Sequence, residues 1–199
     1  MREPLLALAC LATSTVAGAA PDAARLVLEN PRVSVWLGSD RDLAAHPQAV
    51  VVPLEDTTAA GMGAAFWSSS ATPGGAGGRG PLMIVEPKPA PPPAPESDIG
   101  TRPGEQASSG MSFNVLFENE RVTVMRARME VGAQEGFHTH KSDIVIVHLS
   151  GGAIEDTADG KTQVKRWTHG DVEFEARGTS HSARNAGKAV DVVLVTLKP

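Results

Sequence analysis

Apolar residues along this chain fall in short runs, many of them alternating with polar residues, and turn-forming residues separate one run from the next. Residues 25–37 alternate around Val33 and Val35, and residues 49–54 are a short apolar run closing at Pro53, so both predict strands. Residues 81–86 have the same character. Residues 61–70 fit no clear period, although Phe66 and Trp67 need somewhere to pack. Further on, residues 113–117, 121–129, 144–149, 163–167, 172–175 and 189–197 read as strands, with turns at Glu118-Asn119, Gly151-Gly152, Asp159-Gly160 and His169-Gly170-Asp171. The Asp-Gly pair is a strong hairpin signal between Ala153-Ile154 and Thr162-Gln163. Regularly spaced strands with no convincing helix predict an all-β sandwich or barrel.

Three stretches break the pattern. Residues 72–80 form a glycine-rich loop, and residues 87–95 form a proline tract that is extended and poorly suited to a hydrogen-bonded ladder. Polar residues continue to 110, which places a linker at residues 87–111 between residues 21–86 and 112–199. The third is the N-terminus. Arg2, the apolar residues 5–11 and the small residues 17–20 read as a signal peptide over residues 1–20, so the mature chain is expected to be exported, to a periplasm or beyond the cell. An ordinary N-terminal helix is the competing reading.

The segment before the linker looks like a shortened copy of the one after it. Residues 29–36 match residues 118–125 at five of eight positions, and residues 84–89 resemble residues 194–199. His46 followed by Val50-Val51-Val52 echoes His140 followed by Ile144-Val145-Ile146, yet the first copy has only that one histidine. Chance similarity between short β sequences is the other explanation.

Composition narrows the partners. A formal net charge of −5 and the lack of a Lys/Arg cluster offer no footprint for nucleic acid or an anionic membrane surface. No later run is apolar for long enough to span a bilayer. Cys10 is the only cysteine and there is no tyrosine, so a chain lacking its leader has no disulfide, thiol nucleophile or phenol.

The chemistry concentrates between Gly132 and Asn185. Gly132 precedes His138 and His140. In an extended strand, side chains two apart share a face, so these imidazoles point the same way, and a third from a distant strand can complete a metal site. Downstream, Gly170, Gly178, His181 and Asn185 form a second cluster. Together these residues resemble the two motifs of the cupins, G-x5-H-x-H-x3,4-E-x6-G and G-x5-P-x-G-x2-H-x3-N, with Gly151 closing the first. Two positions depart: Ile144 stands at the metal-binding glutamate and Ala176 at the proline.

The resemblance implies a double-stranded β-helix, the cupin jelly-roll barrel, over residues 112–199. It makes residues 21–86 a degenerate cupin half contributing additional strands, and it implies a homodimer. It also implies a metal on His138, His140 and His181. Imidazoles suit Zn, Fe, Ni, Cu and, less readily, Mn, and leave that choice open. A barrel keeping its histidines as polar lining without metal is the alternative. With Ile144 at the acidic position the ligand field is neutral, which strengthens Lewis acidity toward a carboxylate, an enolate or bound water.

Other candidates surround this centre. Asp143 precedes the vacant acidic position, and either a bulge swings it inward as an additional ligand or it faces outward. Arg126 and Arg128 either anchor a carboxylate substrate or form an exposed charged face. Gln134 and Glu135 either supply a substrate contact and general base at the barrel mouth or belong to the loop surface. His148 shares parity with Ile144 and Ile146 and so points inward or plays a structural part. His169 is expected to face solvent, and His46 has no obvious partner.

The leading functional reading is a metal-dependent enzyme of oxygenase, isomerase or lyase type acting on a small organic molecule, a carboxylate or an aromatic. The three-histidine set resembles that of thiol dioxygenases, whose supporting tyrosine is absent here. A non-catalytic ligand-binding or sensing barrel and a purely structural barrel are the alternatives.

Overall fold

The computed structural model describes residues 23–56, 61–69, 80–89 and 108–199. The expected leader, most of the glycine-rich loop and the linker from residue 90 to 107 lie outside the described residues. The described residues form an all-β fold of two antiparallel sheets. Among them, no helix is long and apolar enough to cross a membrane.

The first sheet contains β1 (Arg25–Glu29), β2 (Val33–Gly38), β3 (Val50–Pro53), β4 (Phe66–Trp67) and β5 (Leu82–Pro87), in the order β1-β2-β5-β3-β4. Residues 25–37, expected as one alternating stretch, are thus two strands. The Asn30 side chain turns the chain between them by accepting from the Arg32 and Val33 amides at 2.8 and 3.0 Å. The apolar run at β3 is buried on both faces. Val50 and Val52 pack toward the second sheet, while Val51 packs with Leu82 and Ile84 beneath Leu43 of a 3-10 helix at Asp40–Ala45. Burial on both faces is why that run does not alternate.

The second sheet contains β6 (Ser109–Glu118), β7 (Val122–Thr139), β8 (Asp143–His148), β9 (Gly152–Ala158), β10 (Lys161–Trp167), β11 (Val172–Glu175), β12 (Ser180–Asn185) and β13 (Val190–Leu197). Its order is β10-β9-β12-β7-β13-β8-β11, with β6 also paired to β7. The β9–β10 hairpin turns at Asp159-Gly160, whose φ angles of 51° and 72° are those of a type I′ turn. The long β7 joins both halves of the barrel, pairing with β13 through Met129 and with β12 from Gln134 to Thr139. The sheet curls on itself: Lys165 on one edge strand bonds Glu173 on the other at 2.8 Å, and Trp167 of β10 stacks on His148 of β8. This is the jelly-roll barrel expected. Strands also enter both ends of the expected linker, since β5 includes Pro87 and β6 begins at Ser109.

The sheets share one core. Val145, Val147, Val193 and Val195 point away from the barrel interior and pack against Val33, Val35, Val50 and Val85. At roughly 1.5–3 kcal/mol per buried side chain, these four valines alone represent on the order of 6 kcal/mol, comparable to the net stability of a domain. The first sheet therefore serves as the outer cover of the barrel wall.

The two sheets also repeat each other. The neighbour order β1-β2-β5-β3-β4 reappears as β6-β7-β13-β8-β11. Asn119 accepts from the Arg121 and Val122 amides at 2.8 and 3.0 Å, as Asn30 does in its own turn. Lys88 bonds Glu29 and the Asn30 carbonyl, and Lys198 bonds Glu118 and the Asn119 carbonyl. Arginines from the two turns cross between sheets in a reciprocal way, Arg32 to the Lys198 carbonyl at 3.3 Å and Arg121 to the Pro87 carbonyl at 2.6 Å.

Arg32 also bonds Asp143 at 2.5 Å, with both side chains largely buried. Asp143 further accepts from the Arg177 amide at 2.8 Å, so it faces the first sheet rather than the histidines and is no additional ligand. The register explains this, because Asp143 lies opposite Leu197 on the face covered by the first sheet. Arg32→Ala strands this carboxylate and is expected to cost about 2 kcal/mol, lowering the melting temperature by roughly 4–8 °C in calorimetry. Restoration by Asp143→Asn in the same chain would confirm the pairing, and an unchanged melting temperature for Arg32→Ala would refute it.

Candidate metal centre

His181 on β12 stands opposite His138, which lies among the last residues of β7, with His140 just past the end of β7. The end of that strand is fixed by a reciprocal pair of backbone bonds, His140 N to the Thr179 carbonyl at 2.9 Å and Gly178 N to the His140 carbonyl at 2.8 Å. Gly178 sits at φ 84° and Gly170 at φ 82°, a region that side-chain-bearing residues rarely adopt, which accounts for the glycines of the second motif. One ring nitrogen from each histidine lies within 4.8 Å of the others, and His140 Nε2 is 3.1 Å from His181 Nε2.

Acceptors behind the rings set their tautomers. His138 Nδ1 donates to the Gly136 carbonyl at 3.0 Å, and His181 Nδ1 donates to Asp156 at 2.8 Å. Each leaves an Nε2 lone pair directed into the cluster, as a metal ligand requires. Asp156 is itself 3.2 Å from Lys165, whose ammonium also bonds Glu173. This half-buried Lys165 bridge keeps Asp156 charged: burial pushes its carboxyl up, but the His181 and Lys165 contacts carry the net shift below the usual carboxylate value.

A residue that the motif spacing did not suggest, Glu175, closes the cluster. Its Oε2 is 3.3 Å from His140 Nε2 and its Oε1 is 4.0 Å from His181 Nε2. Burial pushes its carboxyl up to about 7. Burial, with the neighbouring His181 and His138, holds the His140 imidazolium down to about 4. For His181, burial acts downward but the Asp156 hydrogen bond and the Glu175 and Glu135 charges carry the net shift upward. The cluster thus presents neutral imidazole at His140 near neutral pH, which is the ligating form.

The remaining candidates divide. Glu135 approaches His138 Nε2 at 3.7 Å, and with Gln134 it lines a groove of about 340 Å³ beside Thr157, Ser182 and Arg184. Arg126 is taken up by Asp191 at 2.7 and 3.0 Å and by the Met62 carbonyl. Arg128 is exposed and bonds Glu130 at 2.6 Å. Neither arginine reaches the histidines, because Ala127 and Met129 take the inward positions of that strand. His148 is buried against Trp167, His169 bonds the Leu149 carbonyl at 3.0 Å, and His46 lies 3.1 Å from Glu86 and against the Trp36 ring. Asn185 is fully buried in a web of backbone bonds.

No family model and no curated protein matches the chain. Solved structures that match it include cupin domains. A cupin domain from Bordetella pertussis Tohama I is 24% identical, covering 47% of this chain and 99% of that one, with a TM-score of 0.44. KdgF from Halomonas sp. is 18% identical over 48% of this chain and 86% of its own, with a TM-score of 0.39. The polyketide cyclase RemF from Streptomyces resistomycificus is 14% identical over 50% and 74%, with a TM-score of 0.41.

Proposed function

We propose that the barrel holds one divalent transition-metal ion on His138, His140 and His181 and presents it to a small organic ligand with an anionic oxygen, as an enzyme of oxygenase, isomerase or lyase type. The observation that carries this is the orientation of the imidazoles: Gly136 and Asp156 hold protons on the far nitrogens of His138 and His181, leaving the facing nitrogens free within one 4.8 Å cluster. Without metal, the His140 Nε2–His181 Nε2 contact of 3.1 Å lets one ring donate to the other, and a metal ion would take the facing nitrogens of all three rings at once.

A bound ion would supply Lewis acidity toward a carboxylate, an enolate or water. The chain's own residues do the rest. Asp156, fixed by Lys165, keeps the His181 ring from turning. Glu135, 3.7 Å from His138, is the acid that would take or return a proton at the ligand. His140 and His181 are buried, which limits the water competing for the centre.

Metal-free protein titrated anaerobically with Zn²⁺, Mn²⁺ or Fe²⁺ is expected to take up one ion per chain, read by elemental analysis after desalting. His140→Ala is expected to retain none. Equal metal content in wild type and His140→Ala would remove the proposed centre.

A further inference from the structure

We infer that Glu175 is a fourth ligand of the metal centre, so that the carboxylate missing at residue 144 is supplied from the neighbouring strand. This rests on the metal-binding reading above and adds to it a charged ligand, from a position that the motif does not assign.

Register makes the first argument. In the β8–β11 pair, Glu175 lies directly opposite Ile144. Directly opposed residues of an antiparallel pair project to the same face with Cβ atoms about 5 Å apart. The two side chains therefore enter the same part of the barrel from adjacent strands.

Distance makes the second. Two donors on neighbouring corners around one ion with bonds of about 2.1 Å are separated by ~3.0–3.4 Å. The gaps of 3.1 Å between His140 and His181 and 3.3 Å between His140 and Glu175 both fall in that window. Among the described residues, the ion-pair partners of Glu175 are these two histidines, and no Lys or Arg contacts its carboxylate.

Charge makes the third. Three neutral imidazoles leave a buried divalent ion uncompensated, which is unfavourable in a low-dielectric barrel. Glu175 halves that charge. Glu173, the other inward acid of this strand, is occupied by Lys165, so the two carboxylates are assigned to different cations.

The probe is Co²⁺, titrated into metal-free protein and followed by visible absorption and by calorimetry. Glu175→Gln is expected to weaken Co²⁺ binding by at least ~10-fold and to change the absorption band, with stoichiometry still one per chain. Ile144→Glu placed in a Glu175→Ala chain is expected to restore affinity to within ~3-fold of wild type, because it returns the carboxylate to the facing strand. Binding by Glu175→Gln within two-fold of wild type, while His140→Ala binds nothing, overturns the assignment and leaves the three-histidine centre standing. Failure of the wild type to bind Co²⁺ overturns both. Should Glu175→Gln not fold, the double variant decides: restored binding supports the ligand role, and a folded double variant that does not bind rejects it.

Discussion

Asn185→Asp is expected to melt roughly 8–16 °C below the wild type while leaving metal stoichiometry per folded chain unchanged. The Asn185 side-chain amide donates to the carbonyls of Met129, Glu130 and Lys188 at 2.9–3.0 Å, and its oxygen accepts from the Gly187 amide at 3.0 Å. The residue is wholly buried. A carboxylate of the same shape has no donor, so three carbonyls lose their partner and face negative charge instead. At about 1–3 kcal/mol for each buried group left unsatisfied, the loss is about 4 kcal/mol, and each kcal/mol lowers the melting temperature by roughly 2–4 °C at this size. Asn185→Ala should fall by a similar amount. The pH dependence separates the two variants. A protonated aspartic acid regains one donor, so Asn185→Asp recovers part of its stability relative to Asn185→Ala as pH falls through the carboxyl range. If both variants melt with the wild type, the turn between β12 and β13 is not held by this side chain. If they melt low but also lose metal at full folding, Asn185 has a part in the centre that its contacts do not suggest.

That result would divide the motif residues by their work. His138, His140 and His181 were legible because their spacing depends on the strand period and on positive-φ glycines, both of which leave marks in sequence. Gly178 and Asp159-Gly160 are such marks, and each falls where a left-handed backbone is used. Glu175 was not legible, for a reason visible in its strand. The run Val172-Glu173-Phe174-Glu175 reads as an ordinary half-exposed strand with its acids in solvent. Here Val172 and Phe174 pack outward onto the shared core, because the first sheet covers that face, and the acids turn into the barrel. Asp156 and Lys165 were hidden for a related reason, as polar members of a hairpin whose inward side meets His181 and Glu173 rather than solvent. Alternation gives the two faces of a strand but not which is inside, and a second covering sheet reverses the usual assignment. Asp143 is the converse case: it stands beside the vacant acidic position in sequence, yet parity sends it to Arg32. The internal similarity of residues 29–36 and 118–125 was weak as a string, but the matched glutamates, asparagines and arginines make equivalent contacts in the two sheets.

The barrel is also expected to lose stability in acid through His148, by about 3 kcal/mol between pH 7 and pH 4. His148 is 2% exposed and stacks on Trp167 with ring centroids 4.6 Å apart. Among the described residues, neither of its ring nitrogens has a hydrogen-bond partner. Burial, aided by the Lys165 ammonium, holds its imidazolium down to about 3, against 6.5 for a free side chain. Below pH 6.5 the unfolded chain takes up a proton that the folded chain refuses. Stability therefore falls with pH through the window from 6.5 to about 3, at about 1.4 kcal/mol per pH unit. His140, held down to about 4, adds a loss of the same sign in metal-free protein. The measurement is therefore a difference: urea denaturation of wild type and His148→Phe from pH 7 to pH 4. Phenylalanine keeps the ring against Trp167 and has no proton to take up. The variant should gain about 3 kcal/mol on the wild type across the range, whichever is more stable at pH 7. A constant difference would mean that His148 finds a partner when protonated. His148 ends β8, the strand that presents Ile144 opposite Glu175, so metal bound at the centre should raise stability across this range without removing the His148 contribution, since binding at one place does not supply a partner at the other.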